Sequence, residues 1–277
     1  MKTLKKFEGV LFCTDLDGTL YTDEKTVSKQ NLDAIEYFKS EGGLFTFITG
    51  RVPSTASDIC NIVKPNVPYG CSNGAGIFDA NENKYLWNMV LPKDAVELVR
   101  EVDKKLPDMG IQYNTINTVY FNKDNSALEY FRAITGLPNI YCNYEEIDET
   151  VIKVIFAHDD KNQILELEKL LNSHEKAKYF DFIRSEERLY EILPKGASKG
   201  NALCKMAELL GIDIEKTIAV GDYNNDISMV KSAGVGFAVA NAIDEVKAVS
   251  DYITVSNNDH AIAAIIDGLD RGKYLEL

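Results

Sequence analysis

The fold class predicted by the sequence is α/β, with a Rossmann-like, doubly wound parallel sheet as its core and an inserted α+β domain. Short, continuous apolar runs alternate with helical patterns near the start of the chain, and the same rhythm returns near its end. The stretch between them has more polar, half-amphipathic strand patterns. Alternating strands and helices are typical of parallel sheets, whereas strands with one polar face are typical of antiparallel sheets.

The first core segment, residues 1–83, begins with an apolar run that is directly followed by polar residues, as in a buried parallel strand. Ser28 is placed to cap the helix that follows, and Pro53 is placed to open the next one. The second core segment, residues 194–277, repeats this order, with Ser198 as a helix cap and Gly211 as the helix end. The predicted strands of the two segments are residues 9–13, 44–48, 69–72, 217–220, 235–239 and 252–253.

The inserted domain is predicted over residues 84–193. Its strands carry one polar face and its helices are amphipathic, so we expect an antiparallel sheet that is covered by helices on one side. The predicted strands are residues 112–115, 119–122, 151–157, 179–183 and 189–193, and the predicted helices are residues 94–106, 126–134 and 161–172.

Charge and cysteine content exclude several classes of function. The net charge is −13, from 43 acidic and 30 basic residues, which disfavours binding to nucleic acid or to an anionic membrane. The five cysteines are widely spaced and the three histidines are scattered, which disfavours a disulfide framework or a zinc site. The first apolar run is too short for a signal peptide, and no stretch reaches transmembrane length, so we expect a cytoplasmic protein.

Polar segments follow the predicted strands, at the sheet edge where open parallel sheets bind ligands. Asp15 and Asp17 follow the first strand, where carboxylates are placed to bind a hard cation, although a solvated turn has the same composition. Thr49, Gly50 and Arg51 follow the second strand and offer a hydroxyl and a backbone amide to a phosphate oxygen, or simply a helix cap.

Two more polar segments lie in the second core segment. Lys199 lies near the start of a helix, where the helix dipole disfavours a cation, so neutralising a bound anion would explain its position. A surface lysine is the alternative. Asp222, Asn225 and Asp226 follow the strand at residues 217–220, where they either complete a metal site or form a helix-capping turn.

Together these segments resemble the haloacid dehalogenase superfamily, and within it the Cof-type phosphatases with a large α+β (type IIB) cap. The resemblance covers essentially the whole chain. The matching segments are DLDGT (15–19), ITGR (48–51), SNGA (72–75), KGASKG (195–200) and GDYNND (221–226). Asp17 distinguishes the chain from members that cleave carbon–halogen bonds, which lack this second carboxylate.

The resemblance implies a phosphatase that works through a phospho-aspartyl intermediate. Asp15 would be the nucleophile and Asp17 the general acid and base. Mg²⁺ would be the cofactor, held by Asp15, the backbone carbonyl of Asp17, and Asp222. The phosphate-binding residues implied are Thr49, Gly50, Lys199 and Asn225. Asp226 would orient Lys199 or a metal-bound water, and Arg51 would support the site.

The expected substrate is a small phosphorylated metabolite, particularly a sugar phosphate, although nucleotide, flavin and pyridoxal phosphates stay open. Candidate substrate contacts in the inserted domain are Arg184, Glu187 and Tyr190. A phosphomutase or phosphotransferase on hexose phosphates is the alternative enzyme, and a non-catalytic protein that binds a phosphorylated metabolite is the alternative outside enzymes. We expect a monomer or a small homo-oligomer.

Overall fold

The structure is a computed structural model, which describes residues 5–138 and 140–274. The strands are, in chain order, β1 (Leu11–Thr14), β2 (Leu44–Phe47), β3 (Tyr69–Cys71), β4 (Gly76–Asp79), β5 (Lys84–Asn88), β6 (Gly110–Thr115), β7 (Val119–Lys123), β8 (Val151–Ala157), β9 (Phe180–Glu186), β10 (Leu189–Pro194), β11 (Thr217–Gly221), β12 (Val235–Ala238) and β13 (Tyr252–Ile253). The helices are α1 (Lys29–Ser40), α2 (Pro53–Val63), α3 (Ala95–Lys105), α4 (Ser126–Thr135), α5 (Lys161–Ser173), α6 (Lys199–Leu210), α7 (Ile227–Ser232), α8 (Asp244–Lys247) and α9 (Ala261–Asp270).

The chain divides into two compact units. One comprises the described parts of Met1–Arg51, Ala56–Trp87 and Ser198–Leu277, and we call it the core unit. The other comprises Asn88–Ala197 together with Val52–Thr55, and we call it the cap unit. In the part of the chain that the structure describes, no helix combines the length and the apolar character needed to cross a membrane.

The core unit contains a parallel sheet in the order β13-β12-β11-β1-β2. β1 lies between β11 and β2, and its side chains alternate between two hydrophobic cores. Phe12 packs against Phe38 of α1 on one face, and Leu11 belongs to the cluster that holds Leu203 of α6 on the other. Burial on both faces explains why this strand reads as an unbroken apolar run. The doubly wound α/β core is therefore confirmed.

A second, antiparallel sheet in the order β3-β4-β5 extends the core unit. A parallel bridge between Ile48 and Gly70 links its first strand to the end of β2. We expected a strand only at residues 69–72 in this region. The two following strands lie partly where we expected the inserted domain to begin, and the tight turn between β3 and β4 requires positive φ at Asn73 (54°) and Gly74 (88°).

The cap unit contains an antiparallel sheet in the order β7-β6-β8-β10-β9. Helices α3 and α5 cover one face through Leu98 and Leu167. The expectation that only one face is covered is too simple, because Leu128 of α4 packs against Ile155 on the other face. That second face also carries buried polar side chains, namely Gln112, Asn114, Lys153 and Glu191.

Candidate active site

The carboxyl ends of β1 and β11 bring the two acidic segments together. The two strands run parallel, so the segments that follow them leave the sheet at the same edge. The backbone N–H of Asp15 donates to the carbonyl of Val220 at 2.9 Å. The carboxylate oxygens of Asp15, Asp222 and Asp226 include one from each residue that lie within 4.8 Å of one another. Residues that are far apart in sequence thus form one acidic cluster.

The loop after β1 brings the chain close to Asp222. Leu16–Leu20 forms one wide turn, which the N–H of Tyr21 closes by donating to the carbonyl of Leu16 at 2.8 Å. Gly18 lies in this turn with φ of 80°, and a Cβ atom there would lie 2.5 Å from Oδ2 of Asp222. Thr19 donates from its hydroxyl to Oδ1 of Asp222 at 2.7 Å. The turn therefore both requires glycine and holds Asp222.

Lys199 neutralises two of the clustered carboxylates. Ser198 caps α6 by accepting from the N–H of Asn201, which places Lys199 in the first turn of that helix. The lysine Nζ lies 2.6 Å from Oδ1 of Asp15 and 2.6 Å from Oδ1 of Asp226. Burial alone would lower the pKa of Lys199, but the two carboxylates outweigh it and raise that pKa. The lysine is therefore a buried, permanently charged bridge.

Asp226 is engaged on both of its carboxylate oxygens. While Oδ1 accepts from Lys199, Oδ2 accepts from the backbone N–H groups of Asp222 and Tyr223 at 2.9 and 3.1 Å. A Cβ at Gly221 would lie 2.4 Å from the Cβ of Asp226, so this turn also depends on a glycine. Asp226 thus orients the lysine and the loop that carries Asp222, and it has little left to offer a metal ion.

The acidic cluster has the donor set of a site for a hard divalent cation. Burial and the charge of Asp226 raise the pKa of Asp15 to about 7, although Lys199 opposes that rise. Burial, and then the charges of Asp226 and Asp15, also raise the pKa of Asp222. Both burial and the neighbouring negative charges thus disfavour the ionised carboxylates, and a bound cation would offset this. Asp15 and Asp222 fit the role of its ligands.

The carboxylate of Asp17 is not part of the acidic cluster and forms ion pairs with Arg51 and Lys25. Arg51 donates to it from Nε and Nη2 at 2.9 to 3.1 Å, and Nζ of Lys25 donates at 3.0 Å. Burial would raise the pKa of Asp17, but Arg51 and then Lys25 outweigh it, so the pKa falls below its usual value. Arg51 also stacks over the ring of Tyr21, 5.3 Å from its centroid. Asp17 is held ionised in this arrangement.

Asn73 joins the segments that hold Thr49 and Asn225. Its N–H donates to the carbonyl of Thr49 at 3.0 Å, and its Oδ1 accepts from Nδ2 of Asn225 at 3.0 Å. A Cβ at Gly50 would lie 3.0 Å from the same Oδ1. The hydroxyl of Thr49 accepts from the N–H of Arg51 at 3.2 Å, in a turn that ends before α2 begins at Pro53, so this bond does not cap that helix. The structure therefore gathers these predicted phosphate-binding residues around Asn73.

Sequence reasoning missed three residues of this site. Thr19 and Asn73 lie inside the DLDGT and SNGA segments that carried the resemblance, but neither was given a role. Lys25 lies eight positions after Asp17, and no sequence pattern marks it. It has positive φ (57°), and its Nζ contacts the carboxylate of Asp17. The position of Thr19 and Asn73 inside matching motifs could have indicated a role for them. Nothing in the sequence distinguishes Lys25 from other lysines.

The three candidate substrate contacts of the cap unit have other partners. Nε of Arg184 lies 3.0 Å from Oε1 of Glu168, and the hydroxyl of Tyr190 accepts from Nδ2 of Asn172, so α5 engages both side chains. Tyr190 packs into the core beneath that helix. Glu187 is exposed and lies 3.7 Å from Lys161. Arg184 and Tyr190 therefore contact a helix of their own unit, and the substrate contacts expected of Arg184, Glu187 and Tyr190 stay a prediction.

Comparison with known proteins assigns the family. The family model described as haloacid dehalogenase-like hydrolase matches residues 12–266. The chain belongs to this family. Its membership confirms the resemblance on which the motifs were interpreted, and it accounts for a doubly wound core that is interrupted by an antiparallel unit.

Relatives within the family match nearly the full length of the chain. "Putative phosphatase YxeH" of Bacillus subtilis (strain 168) is 30% identical over 94% of this chain and 97% of its own length. The 5-amino-6-(5-phospho-D-ribitylamino)uracil phosphatase YcsE of the same organism is 29% identical over 92% of this chain and 94% of its own. The solved structure of a subclass IIB sugar phosphatase, BT4131, shares the fold with a TM-score of 0.81 at 20% identity, over 94% of this chain and 99% of that one.

Proposed function

We propose that this family member is a Mg²⁺-dependent phosphatase that hydrolyses small phosphoric monoesters through a phospho-aspartyl intermediate on Asp15. The observation that carries the proposal is the contact of 2.6 Å between Lys199 Nζ and Asp15, beside the carboxylate of Asp222. When an anionic nucleophile attacks an anionic ester, nearby cations must reduce the repulsion between them. This cluster offers Lys199 as a fixed cation, and Asp15 and Asp222 as proposed ligands of a metal ion. When bound to Asp15, Asp222 and the carbonyl of Asp17, Mg²⁺ would screen the repulsion between nucleophile and phosphate.

The proposed reaction has two steps that share one acid–base group. A carboxylate oxygen of Asp15 attacks phosphorus, the bond from phosphorus to the ester oxygen breaks, and Asp17 gives the leaving alcohol a proton. Asp17 then accepts a proton from water, which attacks phosphorus and releases inorganic phosphate and free Asp15. The ionised state that Arg51 and Lys25 favour suits the second step. The first step requires a protonated Asp17 that has moved away from the guanidinium.

The remaining core residues hold the phosphoryl group in this proposal. Thr49, the backbone amide of Gly50, and Asn225 lie on segments that Asn73 joins, and Lys199 stands beside the nucleophile. Positioning and charge neutralisation are what phosphoryl transfer chiefly demands of a protein.

The proposed substrate is a phosphate ester of a sugar or of a sugar-like polyol. Support comes from YcsE, which is named for a phosphoribitylamino compound and matches this chain over most of its length. We also propose a cytoplasmic location, because all five cysteines are unpaired, as expected in a reducing compartment.

A screen of phosphorylated metabolites tests the proposal. We expect release of inorganic phosphate that requires Mg²⁺ and stops with chelator, and we expect no isomerised sugar phosphate, which a mutase would form. The Asp15→Asn variant should fold and be inactive, whereas Asp33→Asn, which alters an exposed ion pair with Lys29, should keep full activity. Robust phosphate release by Asp15→Asn would rule out the proposed nucleophile.

A further inference from the structure

Asparagines near the end of the chain hold the loop that follows β1. Nδ2 of Asn241 donates to the carbonyl of Gly18 at 2.8 Å, and its Oδ1 accepts from the N–H of Asn257 at 3.0 Å. Asn257 is buried, and its Nδ2 donates to the carbonyl of Tyr21 and to Oδ1 of Asp23, each at 3.0 Å. The loop between Gly18 and Asp23 is therefore tied at both ends to one distant segment.

Asp23 completes this connection through a reciprocal pair with Asn258. Its Oδ2 accepts from Nδ2 of Asn258 at 2.9 Å, and its N–H donates to Oδ1 of the same residue at 3.0 Å. The hydrogen bonds from Asn257 and Asn258 lower the pKa of Asp23, which keeps this carboxylate an acceptor. The far end of the loop is thereby fixed independently of the acidic cluster.

The bond from Asn241 has a direct geometric consequence for the acidic cluster. By holding the carbonyl of Gly18, it sets the plane of the Gly18–Thr19 peptide. Thr19 donates from its hydroxyl to Asp222, and the backbone at Gly18 comes so close to the same carboxylate that a Cβ there would lie 2.5 Å from Oδ2. Asp17 directly precedes Gly18 in the chain. A rotation of this one peptide would therefore disturb both the general acid and a proposed metal ligand.

We propose that Asn241 is a positioning residue for the catalytic loop, acting through the carbonyl of Gly18 on Asp17 and Asp222. The inference rests on the proposed function. Asn241 itself is exposed, so its removal leaves no buried cavity and costs the fold little. Its effect on activity should therefore exceed its effect on stability.

Asn66 is a matched control elsewhere in the core unit. It is also exposed, its Nδ2 donates to the carbonyl of Gly43 at 3.0 Å, and its Oδ1 accepts from the N–H of Phe45 at 2.8 Å. Both asparagines thus join a glycine carbonyl to a backbone N–H. Asn66 makes its bridge at the start of β2, whereas the acidic cluster lies beyond the carboxyl ends of the strands.

The test compares Asn241→Ala, Asn241→Asp and Asn66→Ala with the wild type for kcat, KM, Tm and Mg²⁺ affinity by calorimetry. We expect kcat of Asn241→Ala to fall about ten- to a hundredfold, because a displacement of about 1 Å has that effect. KM should stay within about twofold, as expected for an interaction that matters in the transition state. Asn241→Asp keeps the acceptor for Asn257 but loses the donor to Gly18, so it should lose activity as Asn241→Ala does.

The outcomes separate this inference from the proposed function. If the wild type is active and Asn241→Ala matches Asn66→Ala in kcat and in Mg²⁺ affinity, the inference is overturned while the phosphatase stands. Full activity in Asn241→Asp would also overturn it, since the bond to Gly18 would then be dispensable. If no phosphate ester is hydrolysed, the proposed function fails, and weaker Mg²⁺ binding by Asn241→Ala than by Asn66→Ala still supports the positioning of Asp222, whereas equal binding overturns it.

Discussion

Lys199 keeps its charge in a buried position only because two carboxylates contact it. It is buried, it lies in the first turn of a helix where the dipole disfavours a cation, and it joins the carboxylates of Asp15 and Asp226. Buried ions are stable in a protein only when they are paired and hydrogen-bonded. The lysine and the two carboxylates therefore depend on one another, and removing any one of them leaves the others uncompensated.

Lys199→Met should abolish phosphatase activity and lower the free energy of unfolding at pH 8 by about 3–5 kcal/mol, because it leaves two buried carboxylates without their cation. The deficit should shrink at pH 5. The pKa of Asp15 is already raised, and without the lysine the carboxylates take up protons more readily as the pH falls. Urea denaturation at the two pH values measures the difference.

Lys195→Met is the control for this experiment. Lys195 lies four positions earlier but is exposed, with 61% of its side chain accessible, and its partner is Asp181. Exposed ion pairs contribute about 0–1 kcal/mol, so this variant should stay close to the wild type. A deficit for Lys199→Met that is small, or equal at pH 5 and pH 8, would contradict the mutual dependence of the three charges.

The site residues differ in how far the sequence could predict them. Asp15 and Asp222 each follow an apolar strand of a parallel sheet, so the topology alone brings them to one edge. Asn241 and Lys25 reach the same loop only because of the course of their own turns, which no residue periodicity encodes. The electrostatic state of Asp17 was also beyond prediction, because it depends on the ion pair with Arg51.

At the scale of elements, the turn Leu16–Leu20 determines the distance between the two acidic segments. Gly18 combines a left-handed conformation with close approach to Asp222, and only glycine satisfies both conditions. Gly9, just before β1, also has positive φ (85°), but a Cβ there would meet no atom within 4 Å. Comparing substitutions at Gly18 and Gly9 therefore distinguishes the effect of backbone strain, which both share, from the effect of steric contact with Asp222, which only Gly18 has.

Gly18→Ala should weaken Mg²⁺ binding, since the new Cβ displaces the Asp222 carboxylate, and kcat should fall with it. Gly9→Ala should keep Mg²⁺ binding and activity. Both variants should lose about 1–2 kcal/mol of stability from the left-handed conformation alone. Calorimetric titration with Mg²⁺ compares them, and equal affinity in the two variants would show that close packing of Gly18 on Asp222 is unimportant.

The sequence predicted strands and helices best where an apolar run or a pair of capping residues marks the element. β1 and α6 were predicted from an apolar run and from the residues Ser198 and Gly211 at the helix ends, and the structure places both elements there. The turn between β3 and β4 was not predicted, because it depends on Asn73 adopting positive φ, which non-glycine residues seldom do. Packing of α4 on the second face of the cap sheet was missed because amphipathicity shows that a helix packs, but not on which face.

At the scale of the whole molecule, a net charge of −13 opposes the binding of an anionic substrate. The acidic cluster adds to that field locally, and a bound divalent cation would reverse it. The pKa of Asp15 is raised from 3.8 to about 7, so the stability that its protonated form contributes is present at low pH and lost as the pH rises through 7. Binding of a cation should restore stability in that upper range.

Mg²⁺ should therefore raise Tm more at pH 8 than at pH 5, where it must displace protons from the cluster. Matched ionic strength in sodium chloride controls for screening of the overall charge. Asp222→Asn removes one proposed ligand and should abolish most of the shift. Thermal denaturation with and without Mg²⁺ measures it, and a shift that is equal at both pH values or survives in Asp222→Asn would place the metal elsewhere.

The measurement that tests the central claim most directly is trapping of the phosphorylated enzyme. The wild type is mixed with ³²P-labelled para-nitrophenyl phosphate and Mg²⁺, quenched in acid within one turnover, digested and analysed by mass spectrometry. We predict a phosphoryl group that is labile to hydroxylamine on the peptide that contains Asp15, and none in Asp15→Asn. An active wild-type enzyme that carries no label, or a label on any other residue, would contradict the account.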